Sequence, residues 1–203
     1  MKKLLGILLA LTMPVSLALA EEHEHHHPRV SSSSDEGNHG EVGVFINYFR
    51  FNNPVADDTN FYGVGARVGI NIARHVQLEA EGAYDPQQNV TFDALTTGAL
   101  IPAPVRVVHF MFGPKFQAGS TGPVRFFVTV KGGLINFSPD SSFAGQIEEI
   151  TTSGDTFATF YPGLGFEFFA HWFGVRFEAG DEMYFNGGVN HNARATAGPV
   201  FRF

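Results

Sequence analysis

The sequence predicts an all-β fold, an eight-stranded antiparallel up-and-down transmembrane β-barrel, and three observations carry that expectation. From residue 41 onward, apolar side chains recur at every second position, the period of a strand and not of a helix. The links between the resulting segments alternate between short and long. Formal charge gathers on one face of the strands and nearly avoids the other.

Composition sets the frame. The chain has 203 residues, of which 44% are hydrophobic and 16% charged, and its 22 Phe outnumber its 13 Lys and Arg together. A soluble domain carries about a quarter charged residues, so the surplus apolar area has to face something other than water. The absence of Cys excludes disulfides, thiolate metal sites, a Cys nucleophile and an N-terminal lipid on Cys. The net charge is −7 and no run of Lys or Arg follows residue 3, so there is no electrostatic footprint for nucleic acid.

Residues 1–20 read as a cleaved signal peptide. Met1, Lys2 and Lys3 form a short basic region, Leu4 to Leu11 an apolar run, and Ala18-Leu19-Ala20 a small-x-small cleavage site before Glu21. A retained anchor is disfavoured because the apolar stretch is short and meets Pro14 and Ser16. Residues 21–40 have no apolar period and read as a disordered His/Ser-rich linker. Within it His23, His25, His26, His27 and His39 offer imidazoles to Zn²⁺, Cu²⁺ or Ni²⁺, against the plainer reading of a solvated polar tail. The barrel domain is expected over 41–203.

The strands follow in order. The first segment, Glu41 to Phe51, is apolar enough for a strand, but its faces are poorly distinguished, with Val42, Val44 and Ile46 competing with Phe45, Phe49 and Phe51 for the outer face. In the second, Tyr62, Val64, Ala66, Val68, Ile70 and Ile72 oppose Phe61, Gly63, Gly65, Arg67, Gly69 and Asn71. In the third, Val76, Leu78, Ala80, Gly82 and Tyr84 oppose Gln77, Glu79, Glu81, Ala83 and Asp85. The fourth sets Val108, Phe110, Phe112 and Phe116 against His109, Met111, Lys115 and Gln117, and the fifth sets Val124, Phe126, Val128 and Val130 against Arg125, Phe127, Thr129 and Lys131. In the sixth, Phe160, Leu164, Phe166 and Phe168 oppose Thr159, Tyr161 and Glu167. The seventh opposes Phe173, Val175, Phe177 and Ala179 to Arg176, Glu178 and Glu182, and the eighth Ala193, Ala195, Ala197, Phe201 and Phe203 to Arg194, Thr196 and Arg202.

Short links are expected at 73–75, 119–123 and 170–172, and long ones at roughly 52–59, 86–104, 138–155 and 185–192. A membrane barrel has this asymmetry, its long loops outside the cell. One face collects seven cations (Arg67, Lys115, Arg125, Lys131, Arg176, Arg194, Arg202) and five anions (Glu79, Glu81, Glu167, Glu178, Glu182). They fit the interior of a narrow barrel whose Phe-rich face meets lipid, whereas a soluble lipocalin-type barrel keeps its apolar residues inside. Eight strands leave an interior just wide enough for side chains, so the expectation is a plugged, charge-paired barrel. Tyr62, Tyr84 and Tyr184 at one end, and Trp172, Phe201 and Phe203 at the other, are expected to form the interfacial girdles.

These features together, with the terminal Phe203, Phe201 two residues before it and the phrase GPVRFFVTVKGGLINF, resemble the small outer-membrane β-barrel proteins of the OmpA and OmpX type over about residues 41–203. The resemblance implies an outer-membrane location, contact with outer-membrane lipids and lipopolysaccharide, and a periplasmic position for the 21–40 linker. It also implies recognition of the C-terminal strand ending in Phe203 by the outer-membrane assembly machinery. Members serve as adhesins, anchors or defence factors, so the family does not by itself name a role. The periplasmic peptidoglycan-binding domain that follows the barrel of OmpA proper has no counterpart here.

Catalysis is not expected. Lipid A deacylases of this architecture use a His, a Ser two residues later and a Glu, but Asn190-His191-Asn192-Ala193 places Ala where the nucleophile belongs. Glu182 and His191 are expected to be neighbours as a surface polar pair. The stretch GVGARVG at 63–69 resembles a phosphate loop only superficially, since its glycines alternate along a strand. The acidic residues Asp57, Asp58, Asp140, Glu148, Glu149 and Asp155 lack ordered Ca²⁺-ligand spacing. No catalytic, cofactor or metal residue is assigned. Two functions remain: a structural or surface-interaction barrel that meets an extracellular partner through its long loops, and a narrow conduit for small solutes. Many inward Gly would favour the conduit, and paired Arg and Glu the plug.

Overall fold

A computed structural model describes residues 39–53, 56–93, 100–118, 123–139 and 155–203. Eight strands follow in chain order: β1 Gly40–Asn53, β2 Ala56–Ala73, β3 Val76–Asp93, β4 Leu100–Ala118, β5 Val124–Pro139, β6 Asp155–Ala170, β7 Phe173–Phe185 and β8 Val189–Arg202. Each pairs antiparallel with the next, and β8 returns to β1 to close the barrel. Closure gives every strand two partners and leaves no edge with unpaired N–H and C=O groups. The seam is finished by the last residue, whose N–H donates to the Gly40 carbonyl (3.1 Å) while its own carbonyl accepts from His39 (2.8 Å) and Gly40 (3.0 Å). Gly40, expected as the linker's last residue, is therefore the first of β1, opposite Ile70. The expected signal peptide and the linker up to residue 38, including His23, His25, His26 and His27, lie outside the described residues.

The two faces follow the period of two. Outward side chains are apolar and open, among them Ile46 at 66% exposure, Leu164 at 65% and Phe126 at 64%. This belt is the inverse of a soluble protein's surface. The inward face is buried and largely charged. The register of β1 is now settled: Val42, Val44 and Ile46 point out, and Phe45, Phe49 and Phe51 point in. Closure decides this, because the Phe side chains share parity with Glu41 and Asn47, which have to be inside, and the aliphatic residues fit the belt.

The expected long links are shorter than composition suggests. β1 and β2 continue to Asn53 and from Ala56, β3 and β4 to Asp93 and from Leu100, and β7 and β8 to Phe185 and from Val189. Only 94–99 and 140–154 stand between strands as longer links at that end. Turn-forming residues such as Pro86, Gln87, Pro102 and Pro104 hide the extension in the sequence. The ladder absorbs the irregularity through a register shift between Asp85 and Gln88, and the inward Val90, Ala103, Val105 and Val107 are buried in the barrel. We call the end with links 74–75, 119–123 and 171–172 the turn end and the other the loop end; β1 begins and β8 finishes at the turn end.

Of the expected girdle residues, Tyr62, Tyr84, Trp172 and Phe203 are exposed on the outside. Tyr184 corrects the expectation: it is 2% exposed and inside. Its parity is that of Glu178 and Glu182, so the strand carries it inward.

Candidate functional site

The interior is a stack of three layers built from all eight strands. Nearest the turn end, Lys115 on β4 donates from Nζ to Glu41 on β1 (2.9 Å) and Glu167 on β6 (2.7 Å), and Arg202 Nε donates to the other oxygen of Glu41 (3.0 Å). Arg125 and Arg202 lie against the Phe169 ring, and Arg125 also donates to Gln117 (3.1 Å).

The middle layer centres on Lys131. Its Nζ lies 2.6 Å from Glu79, 2.6 Å from Glu81 and 3.0 Å from Glu178. Arg67 reaches Glu178 (2.8 Å) and donates to Thr196 (2.8 Å), and Arg176 pairs with both Glu79 and Glu178. The three carboxylates lie close enough to suggest a cation site. Lys131 Nζ already occupies that position, so their charge is met by the protein itself. Fully buried charges remain ionised at tolerable cost only with such pairing.

In the upper part of the same layer, Arg194 on β8 joins Glu81 (2.7 Å) and Asn47 (2.8 Å) and approaches Glu182 (3.4 Å). His109 on β4 bridges two acids, Nδ1 at 2.9 Å from Glu182 and Nε2 at 3.0 Å from Asp85, while Asn47 donates to both oxygens of Asp85. Carboxylates only accept, so a doubly protonated imidazolium satisfies both contacts at once. The third layer, toward the loop end, is apolar. Phe49, Phe51, Phe61, Ile135, Phe137 and Tyr184 form one buried cluster, with the Phe51 and Tyr184 rings stacked at 6.4 Å and the Phe137 and Tyr184 rings 5.4 Å apart. The edge of this layer rests on the ionic one, where Phe49 meets the His109 ring at 4.9 Å.

All seven expected inward cations and all five anions are on the inner face. Two buried acids outside that count share the inner face: Glu41, whose strand has no face assigned from sequence, and Asp85, which the period of two sets opposite Tyr84 but which was not counted among the anions. The signal was present as parity: Asp85 shares the face of Glu79 and Glu81, and Glu41 that of the inward Phe side chains of β1. The expected Glu182–His191 neighbours are not brought together. Glu182 opposes Asn192 across β7 and β8 and faces inward, while His191 faces out and pairs with Asp181 at 2.6 Å. Asp58 pairs with Arg50 at the loop end (2.6 Å), and Asp140, Glu148 and Glu149 lie outside the described residues.

Inward glycines do not open a lumen here. The space beside Gly65 is taken by the Phe45 ring and that beside Gly165 by the Phe127 ring. Those rings in turn lie 4.2 Å from the Arg67 and Arg176 guanidinium carbons. Gly65 and Gly165 are thus sockets for aromatics that pack against the charges.

The same closed eight-stranded architecture is found in solved structures of small outer-membrane barrels. Solved structures with the same fold include OprG from Pseudomonas aeruginosa (TM-score 0.54, 11% identity, 82% of this chain and 96% of that one). Ail, the attachment invasion locus protein of Yersinia pestis, is similar at TM-score 0.53 and 15% identity, covering 82% of this chain and 99% of that one. Neisserial surface protein A is similar at TM-score 0.52 and 11% identity, covering 81% and 97%. No protein-family model and no curated protein matches the sequence.

Proposed function

We propose that the chain is an integral protein of the bacterial outer membrane that works as a closed barrel, structural or surface-interacting through the segments at its loop end, without enzymatic activity. The sealed interior carries this reading. A solute entering from the loop end meets the aromatic layer first and then ion pairs whose members are buried to within a few per cent. Opening a path would separate charges in a confined site, at a cost of several kcal/mol for each one left unpaired. The exposed apolar belt supports contact with outer-membrane lipids and lipopolysaccharide, and the neighbouring structures of outer-membrane proteins support the location. An extracellular partner would be met by 94–99 and 140–154, the longer links at the loop end.

The test joins location with conductance. The protein is expected in the outer-membrane fraction as a band whose gel migration shifts on heating, and the purified monomer is expected to show no steady conductance in planar bilayers. Steady single-channel current well above leak would replace this reading with the conduit.

Assembly supplies a separate expectation. Phe203 is 62% exposed while its backbone closes the β8–β1 seam, so its ring is free for a recognising partner. Deleting Phe203 is expected to lower the amount of heat-shifted barrel in the membrane severalfold. Unchanged assembly would remove the C-terminal strand as the feature read by the assembly machinery.

A further inference from the structure

We infer that the inner mouth at the turn end is a binding site for an oxyanion of the phosphate class, held chiefly by Arg125 and Arg202. Charge is balanced in the middle layer but not at this end. In the middle layer Arg67, Lys131, Arg176, Arg194 and the His109 imidazolium meet Glu79, Glu81, Glu178, Glu182 and Asp85, cation for anion. At the turn end Lys115, Arg125 and Arg202 share Glu41 and Glu167, and Glu167 is drawn on by Arg176 as well, at 3.5 Å. Among the described residues that layer therefore carries one more positive charge than negative. An excess of one sign in a confined mouth attracts an ion of the other.

The donors are arranged for such an ion. The Arg125 and Arg202 guanidinium carbons lie 5.7 Å and 2.9 Å from the centroid of the Phe169 ring, so one inward aromatic gathers two like charges. Arg202 keeps Nε on Glu41 (3.0 Å), while its Nη2 makes no hydrogen bond and stands 3.8 Å from Glu167. On the facing side Arg125 donates to Gln117 (3.1 Å), and the amide nitrogens of Gln77 and Gln117 both turn to Asn71 Oδ1. Arginine forks match the paired oxygens of phosphate, and two forks from different strands can meet more oxygens than a carboxylate offers.

The mouth can be reached. Arg125 and Arg202 are only partly buried, and the exposed Arg74, His75 and His171 stand in the links around them, with no Asp or Glu among the described residues of those links. The Phe203 carbonyl does not reach in to answer the charge, since it accepts from the His39 and Gly40 N–H groups at the seam. On the export reading this end faces the periplasm, where a dissolved phosphate and the phosphate of a lipid headgroup present the same chemistry.

The experiment titrates the full chain, purified in a non-ionic detergent without phosphate, with inorganic phosphate in a calorimeter. One ion per barrel is expected to bind, more tightly than chloride, and to raise the temperature at which the gel band shifts. Arg125→Gln and Arg202→Gln are each expected to weaken binding about tenfold or more, as the loss of a charge-assisted hydrogen bond does. Arg50→Ala, at the opposite rim, should leave it unchanged. Gln117→Glu decides the matter even if an arginine variant does not fold: it keeps the side chain's shape and sets a carboxylate on Arg125. It is expected to abolish phosphate binding and, without phosphate, to shift the band at a higher temperature than the parent. Displacement of the phosphate by short-chain phosphatidylglycerol would assign the site to a lipid headgroup, and retention would assign it to the dissolved ion. No binding by the parent, binding no tighter than chloride, or full binding by Gln117→Glu would overturn the proposal.

Discussion

Replacing Lys131 with methionine is expected to destabilise the barrel by about 3–5 kcal/mol, the cost of leaving buried charge without its partner. Lys131 Nζ touches Glu79, Glu81 and Glu178, and all four groups are withdrawn from solvent. Methionine fills a similar volume, so the loss reports charge and not a cavity. The urea midpoint of the protein in lipid vesicles and the temperature at which the gel band shifts should both fall. Adding Glu81→Gln to Lys131→Met should recover part of the loss, since it removes the negative charge that Lys131 no longer balances while the amide oxygen can still accept from Arg194. Removing the exposed Arg50, which pairs with Asp58 at the rim, should leave both readouts unchanged. Equal effects of Lys131→Met and Arg50→Ala would mean that the interior pairs are solvated and the barrel is not plugged.

The second large effect is expected on the other face. Phe112 projects outward near mid-height of β4, 53% exposed among apolar neighbours. Phe112→Arg should cost about 2–4 kcal/mol in vesicles, the range for a cation on the lipid face at the bilayer midplane. Phe116→Arg, nearer the turn end, should cost distinctly less, because an arginine there reaches the headgroups. Were the barrel soluble, an arginine at either exposed position would be tolerated or would improve solubility. Insensitivity of the vesicle midpoint to Phe112→Arg would therefore reverse the assignment of the belt to lipid.

The legibility of the chain in its sequence was uneven, for identifiable reasons. Strands β2 to β8 were readable because inward charge and outward apolar side chains mark opposite parities. β1 was not, because Phe occupies its inner face and aliphatic residues its outer one, so hydrophobicity does not distinguish them. Tyr184 was misread as a girdle residue on the strength of its residue type, although parity placed it inside. The ends of β3 and β4 were missed because prolines and amides interrupt the pattern while the ladder continues through a bulge. The interior glycines suggested space, and only the neighbouring side chains and backbone show that it is filled.

The sequence by itself determined the number of strands, the polarity of their faces and the presence of a charged interior, since all three depend on a local period of two. The pairings were decided by the tertiary structure. Glu81 lies 50 residues from Lys131 and 113 from Arg194, yet both cations reach it. Their meeting depends on how far each strand is shifted against the next before β8 closes on β1. That register is a property of the closed ring, and it sets which inward side chains share a layer and separates the ionic floor from the aromatic cap.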